Sequence, residues 1–487
     1  MLPRNNELRI GESKMKTYSI KLGLASTRRN IFSREDAIKF RGLTEERLNE
    51  LGINYVGIND INEEGLLFEE EHVELVVEKF KKEKVDALFF PHCNFGTEDL
   101  VCKVAKKLNL PVLLWGPRDE APLVDGTRSR DSQCGLFATG KILRRFRVPF
   151  SYIPNCGLED EAFERGVKNF IAATNVVKEL KQTRILQIST RPAGFWTMMC
   201  NEGELLERFG VQIRPITMSD FTSKVFKIEE ENGQELQDVK KYINENMEVC
   251  VDDKAVTRLA AMKVTMKEFA TNLGCNAIAV QCWNSMQDSL GVMPCVANAL
   301  MTDEGIPVVC ETDIHGAITS VMAQAATMGE VIPFFADWTI AHPTNRNGEL
   351  LQHCGPWPLS LVKEGQKAKF AGAFAFNGTP GAVHAEIKGG DLSILRFDGD
   401  NGEYSMLLGK AKGIEGPYNQ GTYLWIEVEN LTKLEDKLVT GPYVHHCTGV
   451  HKDVLPVIYE ACKYIPDLKA DFYDDIEEEV KAWIRGE

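Results

Sequence analysis

The sequence predicts an α/β protein: two doubly wound, Rossmann-like domains followed by a β-rich C-terminal domain with an antiparallel sheet or small barrel. Three observations carry this. Strand-like and helix-like segments alternate through the first two thirds of the chain, the pattern of parallel βαβ units. From about residue 331 the texture changes to short apolar runs separated by Gly and Asn-Gly turns. The length, 487 residues, allows two or three domains at about 150 residues each. The expected boundaries are 1–170, 171–330 and 331–487.

The elements follow in order. Residues 18–26 read as a first strand. Ser33 caps a helix that runs to Leu51, with Glu35 and Asp36 in its first turn. Strands at 54–58, 85–90 and 111–115 alternate with helices at 71–84 and 100–108. The second domain repeats the layout with strands at 184–189, 211–216 and 275–280, a long charged helical stretch at 229–273, and a helix at 296–301. Runs at 371–376, 392–397 and 423–428 read as strands of the third domain. Asn377-Gly378, Gly389-Gly390 and 398–402 mark its turns. A helix at 452–464 and a solvated acidic tail at 474–479 close the chain.

One stretch joins this layout to chemistry. Ile306–Cys310 reads as a buried strand ending in Glu311-Thr-Asp313, with a helix over 316–328. On an extended chain, acids at i and i+2 point to the same side. The carboxyl ends of strands in open α/β sheets are where ligands bind. Another apolar run, 331–336, ends in Asp337-Trp338. A third ends in His353-Cys354, and a fourth in His445-His446. A single acid at such a position more often caps a helix or is solvated, and a single His more often packs. Repeated across four segment ends, Glu311 or Asp313, Asp337, His353 and His445 or His446 make a mixed oxygen and nitrogen set suited to a divalent cation. Strand-end loops add candidate substrate contacts: Cys93 and Asn94, Gln281 and Trp283, Trp338, and His445. For His92, His315, His342, His384 and His451 a structural role is expected.

Composition sets limits. The net charge is −15, with 44% hydrophobic residues. An acidic surface disfavours nucleic acid as a partner. Thirteen cysteines without a Cys-x-x-Cys pair suggest free thiols and a cytoplasmic setting. No leader-like or membrane-length apolar run is read in the sequence. Neither Gly-x-Gly-x-x-Gly nor a Walker-type loop is present, which weakens a nucleotide reading.

Cys-Glu311-Thr-Asp313, then Phe-Phe-Ala-Asp337-Trp, then Leu-Gln-His353-Cys-Gly, then His445-His446, resembles the L-fucose isomerase and L-arabinose isomerase superfamily, in its shorter fucose-isomerase-like branch. Arg130-Asp-Ser-Gln-Cys-Gly135 resembles that family's first-domain segment. The resemblance implies an aldose–ketose isomerase working by a metal-assisted cis-enediol route, with Mn²⁺, or Mg²⁺ or Co²⁺, as cofactor. It implies Glu311, Asp337, His353 and His446 as metal ligands, with Asp337 where arabinose isomerases carry Glu. Asp313 matches an acid of the fucose isomerases. Their other acid falls at 294–298, where this chain has none, so the proton-transferring pair stays open among Glu311, Asp337 and Asp313; Glu311 and Asp337 are the expected pair. The resemblance also implies a homo-oligomer, trimeric or hexameric. In it the first domain would bring the 92–98 loop or Arg130 to a neighbour's sugar. A non-catalytic two-lobed sugar-binding protein and a metal-dependent lyase or hydrolase are the competing readings.

Overall fold

The computed structural model describes residues 17–373 and 377–487. The chain divides into two compact units. One comprises Tyr18–Lys178, Pro456–Ile465 and Glu477–Glu487; the other includes Glu179–Leu455 and Pro466–Ile476.

The first unit is built on strands β1 (Leu22–Leu24), β2 (Tyr55–Val56), β3 (Ala87–Pro91), β4 (Val112–Trp115) and β5 (Ser151–Tyr152). They form one parallel sheet in the order β2-β1-β3-β4-β5. β3 and β4 are buried along their whole length, as strands covered on both faces must be. The helix Arg34–Glu50 starts where its cap predicts: Ser33 Oγ accepts from the Asp36 amide at 3.1 Å. Val73, Val76, Val77 and Phe80 of the helix His72–Glu83 and the apolar face of Glu98–Leu108 fill the core beside β3.

Gly135, in the segment that resembles the isomerases' first domain, has a packing reason. A Cβ there would lie 1.7 Å from the Phe95 carbonyl oxygen. Only a residue without a side chain lets the helix Ser132–Arg145 approach the 92–98 loop so closely. Gly135→Ala is expected to cost about 1–3 kcal/mol through overpacking. Thermal unfolding followed by circular dichroism should show a melting point lower by several degrees. An unchanged melting point would mean that the loop yields freely.

In the second unit, β6 (Arg184–Ile188), β7 (Gln212–Ile216), β9 (Ala277–Val280) and β10 (Val308–Val309) form a second parallel sheet, ordered β10-β9-β6-β7. The charged stretch resolves into three helices, Met218–Glu231, Gln234–Asn246 and Asp253–Leu273, with β8 (Glu248–Val249) between the last two. The remaining strands are β11 (Phe334–Ala341), β12 (Gly348–His353), β13 (Lys369–Gly372), β14 (Pro380–Glu386), β15 (Asp391–Asp400), β16 (Glu403–Ile414), β17 (Thr422–Glu427), β18 (His446–Val450) and β19 (Leu468–Phe472). β16, β15, β18, β11, β12 and β17 pair in that order, each antiparallel to the next. β17 then pairs back onto β16 and closes the ring. The C-terminal region thus contains an antiparallel barrel, filled by Phe334, Leu351, Trp357, Ile394, Leu407 and Ile426 among others. Closure removes the open edges a sheet would otherwise expose. Asn377-Gly378 and Asn401-Gly402 are tight turns with both residues left-handed, as Asn-Gly hairpins require. Of the predicted run 371–376, residues 374–376 lie outside the described residues.

Some expectations shift. The strand expected over Ile306–Cys310 is only Val308–Val309. Asp337 lies within β11 rather than after it, and His446 opens β18 rather than ending a strand. The acidic tail is partly buried: Asp474 is 4% exposed and its carboxyl is pushed up to about 7 by burial, and Glu477–Arg485 is helical. Among the described residues, no helix is long and apolar enough to cross a membrane. All thirteen cysteines are free.

Candidate active site

β6, β9 and β10 end together. The Gln281 amide bonds to Ile188 O at 3.1 Å, and the Thr312 amide bonds to Val280 O at 3.1 Å. After Cys310 the chain does not stay extended. Glu311 (φ 62°) and Thr312 (φ 59°) are both left-handed. Such a conformation costs of order 1–3 kcal/mol for a residue with a side chain and clusters at functional sites. It is held by the Val280 contact, by Thr312 Oγ1 donating to Thr190 O at 3.3 Å, and by the Asp313 amide bonding to Cys310 O at 3.2 Å. The expected same-side pair of carboxylates is therefore corrected. Asp313 instead caps the helix Ile314–Ala326, Oδ1 accepting from the Gly316 amide at 2.9 Å.

That helix lies against the outer face of the barrel. A Cβ on Gly316 would come within 2.6 Å of both Asp313 Oδ2 and the Phe335 ring, so the helix start fits here only with glycine. Ser320 Oγ meets Thr448 Oγ1 at 3.3 Å, and Thr319 Oγ1 accepts from the Phe397 amide at 2.9 Å. On β11, Phe334 and Ala336 face the barrel interior; Phe335 and Asp337 alternate outward. Asp337 sits directly opposite His446 on β18. β12 flanks β11 on its other side and ends in His353.

Four side chains converge there. His446 is fully buried, with Nε2 3.2 Å from Glu311 Oε2 and 3.3 Å from Asp337 Oδ1. His353 Nε2 is 3.8 Å from Asp337 Oδ1. These contacts are close enough for charge attraction but out of line for hydrogen bonds. Glu311 Oε2, Asp337 Oδ1, His353 Nε2 and His446 Nε2 are all buried atoms without a hydrogen-bond partner. Donor atoms of Glu311, His353 and His446 lie within 4.8 Å of one another, as do those of Asp337, His445 and His446. Buried polar atoms are normally satisfied. Orphaned donors gathered in two overlapping groups around His446 suit a cation.

Electrostatics separates the acids. Burial would raise the Asp313 carboxyl, but the Arg396 guanidinium and the His446 ring hold it far below the usual carboxylate range. Asp313 accepts from both Arg396 terminal nitrogens, from His446 Nδ1 at 2.9 Å and from the Gly316 amide. Its lone pairs are taken, so it has no capacity left as a base. The expectation that Asp313 transfers protons is corrected on that ground. Burial also works to raise Glu311, and contact with His446 brings it net below its ordinary value. For His446, burial is outweighed by its hydrogen bond to Asp313 and by the charges of Glu311 and Asp337 close to its ring, which push it up to about 10.

Of the other candidates, Trp283 donates from Nε1 to Glu311 Oε1 at 3.2 Å and stands edge-on to Phe195 at 5.1 Å. Gln281 Oε1 is buried and unpartnered on the same strand ends. His445 is exposed, its ring 4.3 Å from that of His446. Trp338 is a correction: strand alternation turns it away from Asp337 and into the barrel core, edge-on to Tyr473. Cys93, Asn94 and Arg130 belong to the other unit. Cys93 is fully buried and its thiol is pushed up to about 12 by burial. Asn94 Oδ1 accepts from the amides of Arg29 at 2.8 Å, Phe95 at 2.5 Å and Gly96 at 3.3 Å. Arg130 is buried over the Phe40 ring and pairs with Glu120 at 2.9 Å. His92 is buried between Phe90 O and Thr139 Oγ1, its pKa lowered to about 4 by burial.

Arg396, Asp398 and His315 were not singled out from sequence as part of the site. One signal was present: a charged residue inside the apolar run Leu392-Ser-Ile-Leu-Arg-Phe397.

Comparisons with known proteins bear on this arrangement. Residues 23–181 match a family model described as the fucose/sulfoquinovose isomerase N-terminal domain. A sulfoquinovose isomerase of Priestia aryabhattai is 26% identical over 399 residues, covering 80% of this chain and 86% of that protein. One of Alkalicoccus urumqiensis is 25% identical over 378 residues, covering 77% and 83%. Among solved structures, a periplasmic solute-binding protein of Actinobacillus succinogenes 130z with bound D-allose is 13% identical. It covers 63% of this chain and 92% of that one at a TM-score of 0.16, too low to carry an argument. The chain is thus similar in its N-terminal region to the fucose/sulfoquinovose isomerase N-terminal domain, and over some four fifths of its length to sulfoquinovose isomerases.

Proposed function

We propose that the protein is a divalent-metal-dependent aldose–ketose isomerase acting by a cis-enediol route on a sugar that carries an anionic group, sulfoquinovose being the first candidate. The observation that carries the metal reading is the set of four buried, unpartnered donor atoms on Glu311, Asp337, His353 and His446. Among the described residues no lysine or arginine is paired with either acid, whose charged partners are the imidazoles. Two carboxylates facing imidazoles leave negative charge that a dication neutralises. Mixed oxygen and nitrogen ligation suits Mn²⁺, our preferred ion, or Mg²⁺ or Co²⁺. His446 fits without rearrangement, because Nδ1 is held by Asp313 and Nε2 is free. His353 Nδ1 accepts from the Cys354 amide at 2.9 Å, so ligation through its Nε2 requires the ring to release that amide.

A cation held by these residues would supply positive charge that stabilises an enediolate. The chain's residues do the rest. Glu311, ionised and held by the Trp283 indole, takes the C2 hydrogen as a proton. The electron pair of that C–H bond becomes the C1–C2 double bond while the C1=O1 π pair moves onto O1, which takes a proton to give the enediol; loss of the O2 proton then forms C2=O2 as C1 takes up a proton, yielding the ketose. Asp337, on the other side of His446, is the second acid of the exchange. Phe195 and Trp283 form an apolar wall beside Glu311 against which a sugar ring can lie. The test is incubation with Mn²⁺ and a panel of sulfoquinovose, L-fucose, L-arabinose and an aldose phosphate, assayed for ketose. No ketose from any of them would remove the reading. The homo-oligomer, trimer or hexamer, is part of the proposal; light scattering that gives a monomer would withdraw it.

Arg191 follows β6, beside the Thr190 carbonyl that Thr312 engages. One of its nitrogens donates to Pro192 O and Ala193 O at 3.3 and 3.2 Å. Among the described residues no acid pairs with it, so its charge is available to a sulfonate. Arg191→Met is expected to raise the KM for sulfoquinovose about 10–100-fold, the scale of one lost hydrogen bond to a charged group. The KM for L-fucose, if it is turned over, should not change. An unaltered sulfoquinovose KM would exclude Arg191 as the anion contact.

A further inference from the structure

Behind the open cluster lies a closed chain of buried charge. Arg396, on β15, is 1% exposed and grips Asp313 with both terminal nitrogens. Its Nε donates to Asp398 Oδ2 at 2.8 Å. Asp398 Oδ1 in turn is bound to His315 Nδ1 at 2.9 Å and accepts from the Gly399 amide at 2.9 Å. Among the described residues the ion-pair partners of Arg396 are Asp313 and Asp398, not Glu311 or Asp337. An arginine taken out of water carries a desolvation penalty, which good pairing offsets but a hydrophobic residue would avoid. What the pairing yields here is geometry. The planar fork fixes the Asp313 carboxylate in one orientation, and that carboxylate is the partner of His446 Nδ1.

We propose that Arg396, braced by Asp398, is a positioning residue that acts through Asp313 to hold the His446 ring with Nδ1 protonated and Nε2 directed at Glu311 and Asp337. This rests on the metal-site reading given above. The chain also explains why Asp313, two residues from Glu311, stays out of the open cluster. With the fork gone, the Asp313 carboxylate is free to rotate, and the His446 ring loses its fixed partner.

Two readouts other than turnover test this. The first is Mn²⁺ affinity, measured from the free-ion electron paramagnetic resonance signal. Arg396→Met is expected to raise the Mn²⁺ dissociation constant about 10–100-fold, the usual effect of losing an outer partner of a metal-binding histidine. Arg396→Lys should fall between it and the wild type, since it keeps the charge but not the fork. The second is the ring-nitrogen spectrum of His446 in ¹⁵N-histidine-labelled protein, assigned by its absence in His446→Gln. The wild type should show a proton on Nδ1 that exchanges slowly, and Arg396→Met should lose that protection. A folded Arg396→Met with wild-type Mn²⁺ affinity and an unchanged His446 spectrum would overturn the proposal. If Arg396→Met does not fold, Asp398→Asn removes the brace and leaves the fork in place. It should weaken Mn²⁺ binding in the same direction, and no weakening would count against the proposal. A wild-type spectrum with no proton on Nδ1 refutes it without any variant. A wild type that binds no Mn²⁺ would instead defeat the metal reading, with the His446 spectrum still deciding the positioning role.

Discussion

Replacing Glu311 by Gln is expected to reduce turnover of a verified aldose by roughly 10²–10⁴-fold, the range attributed to a positioned general base, while the protein stays folded. Gln has nearly the same shape, and its amide oxygen can still accept from Trp283 Nε1, now 3.2 Å from the Glu311 carboxylate. The left-handed turn at Glu311 and Thr312 is held by backbone bonds and by Thr312, not by the carboxylate. What disappears is a negative charge and a proton acceptor in a site where both are needed. Mn²⁺ affinity should fall as well, so the comparison belongs at saturating metal. A kcat within a few-fold of wild type would show that Glu311 is not the base. Asp313 could not take over in this geometry, because its lone pairs are occupied by Arg396, His446 and the Gly316 amide. The role would then fall to Asp337.

His446→Ala acts on another part of the site and should give the second large effect. The ring lies among Glu311, Asp313 and Asp337, so its removal takes away one metal donor and leaves three acids without their shared partner. Weakened metal binding is expected, with activity partly restored by excess Mn²⁺. There is also a signature in stability. Because the folded-state pKa of His446 is raised from 6.5 to about 10, the metal-free protein binds the proton more tightly when folded. Its contribution is full below pH 6.5 and is lost as pH rises through about 10, with a size on the order of a few kcal/mol. Metal-free wild type should therefore lose stability between pH 7 and 10, and metal-free His446→Ala should show a flatter profile. Parallel profiles in thermal melts across that range would rule out the charged imidazole as the cause.

Much of this was readable before any coordinates. The alternation of segments up to residue 330 located the parallel strands of both sheets except the short β5, because period and turn residues are local properties. Asn377-Gly378 and Asn401-Gly402 marked hairpins because the left-handed turn demands those residues. Glu311, Asp337, His353 and His446 could be listed together from the family resemblance because each sits at or near a segment end, and the tertiary structure gathers them in two overlapping groups around His446. β16 was not legible: Gly409, Lys410, Lys412 and Gly413 interrupt its apolar pattern, and its strand state depends on pairing with β15, β17 and β19.

The sequence by itself determined the order of the elements, the hairpin turns and the identity of the acids and imidazoles, all of which follow from residue type and short-range spacing. Tertiary structure alone decided how those residues face. Trp338 and Asp337 are neighbours in the chain, yet one lies in the barrel and the other in the site, because alternation gives them opposite faces and the pairing of β11 with β18 settles which face is which. Glu311 and Asp313 look like twins in sequence. Two left-handed residues turn Glu311 toward the open cluster, while Arg396, 83 positions away, claims Asp313. Short-range spacing says nothing about a partner that distant, and that partner is what separates the two acids.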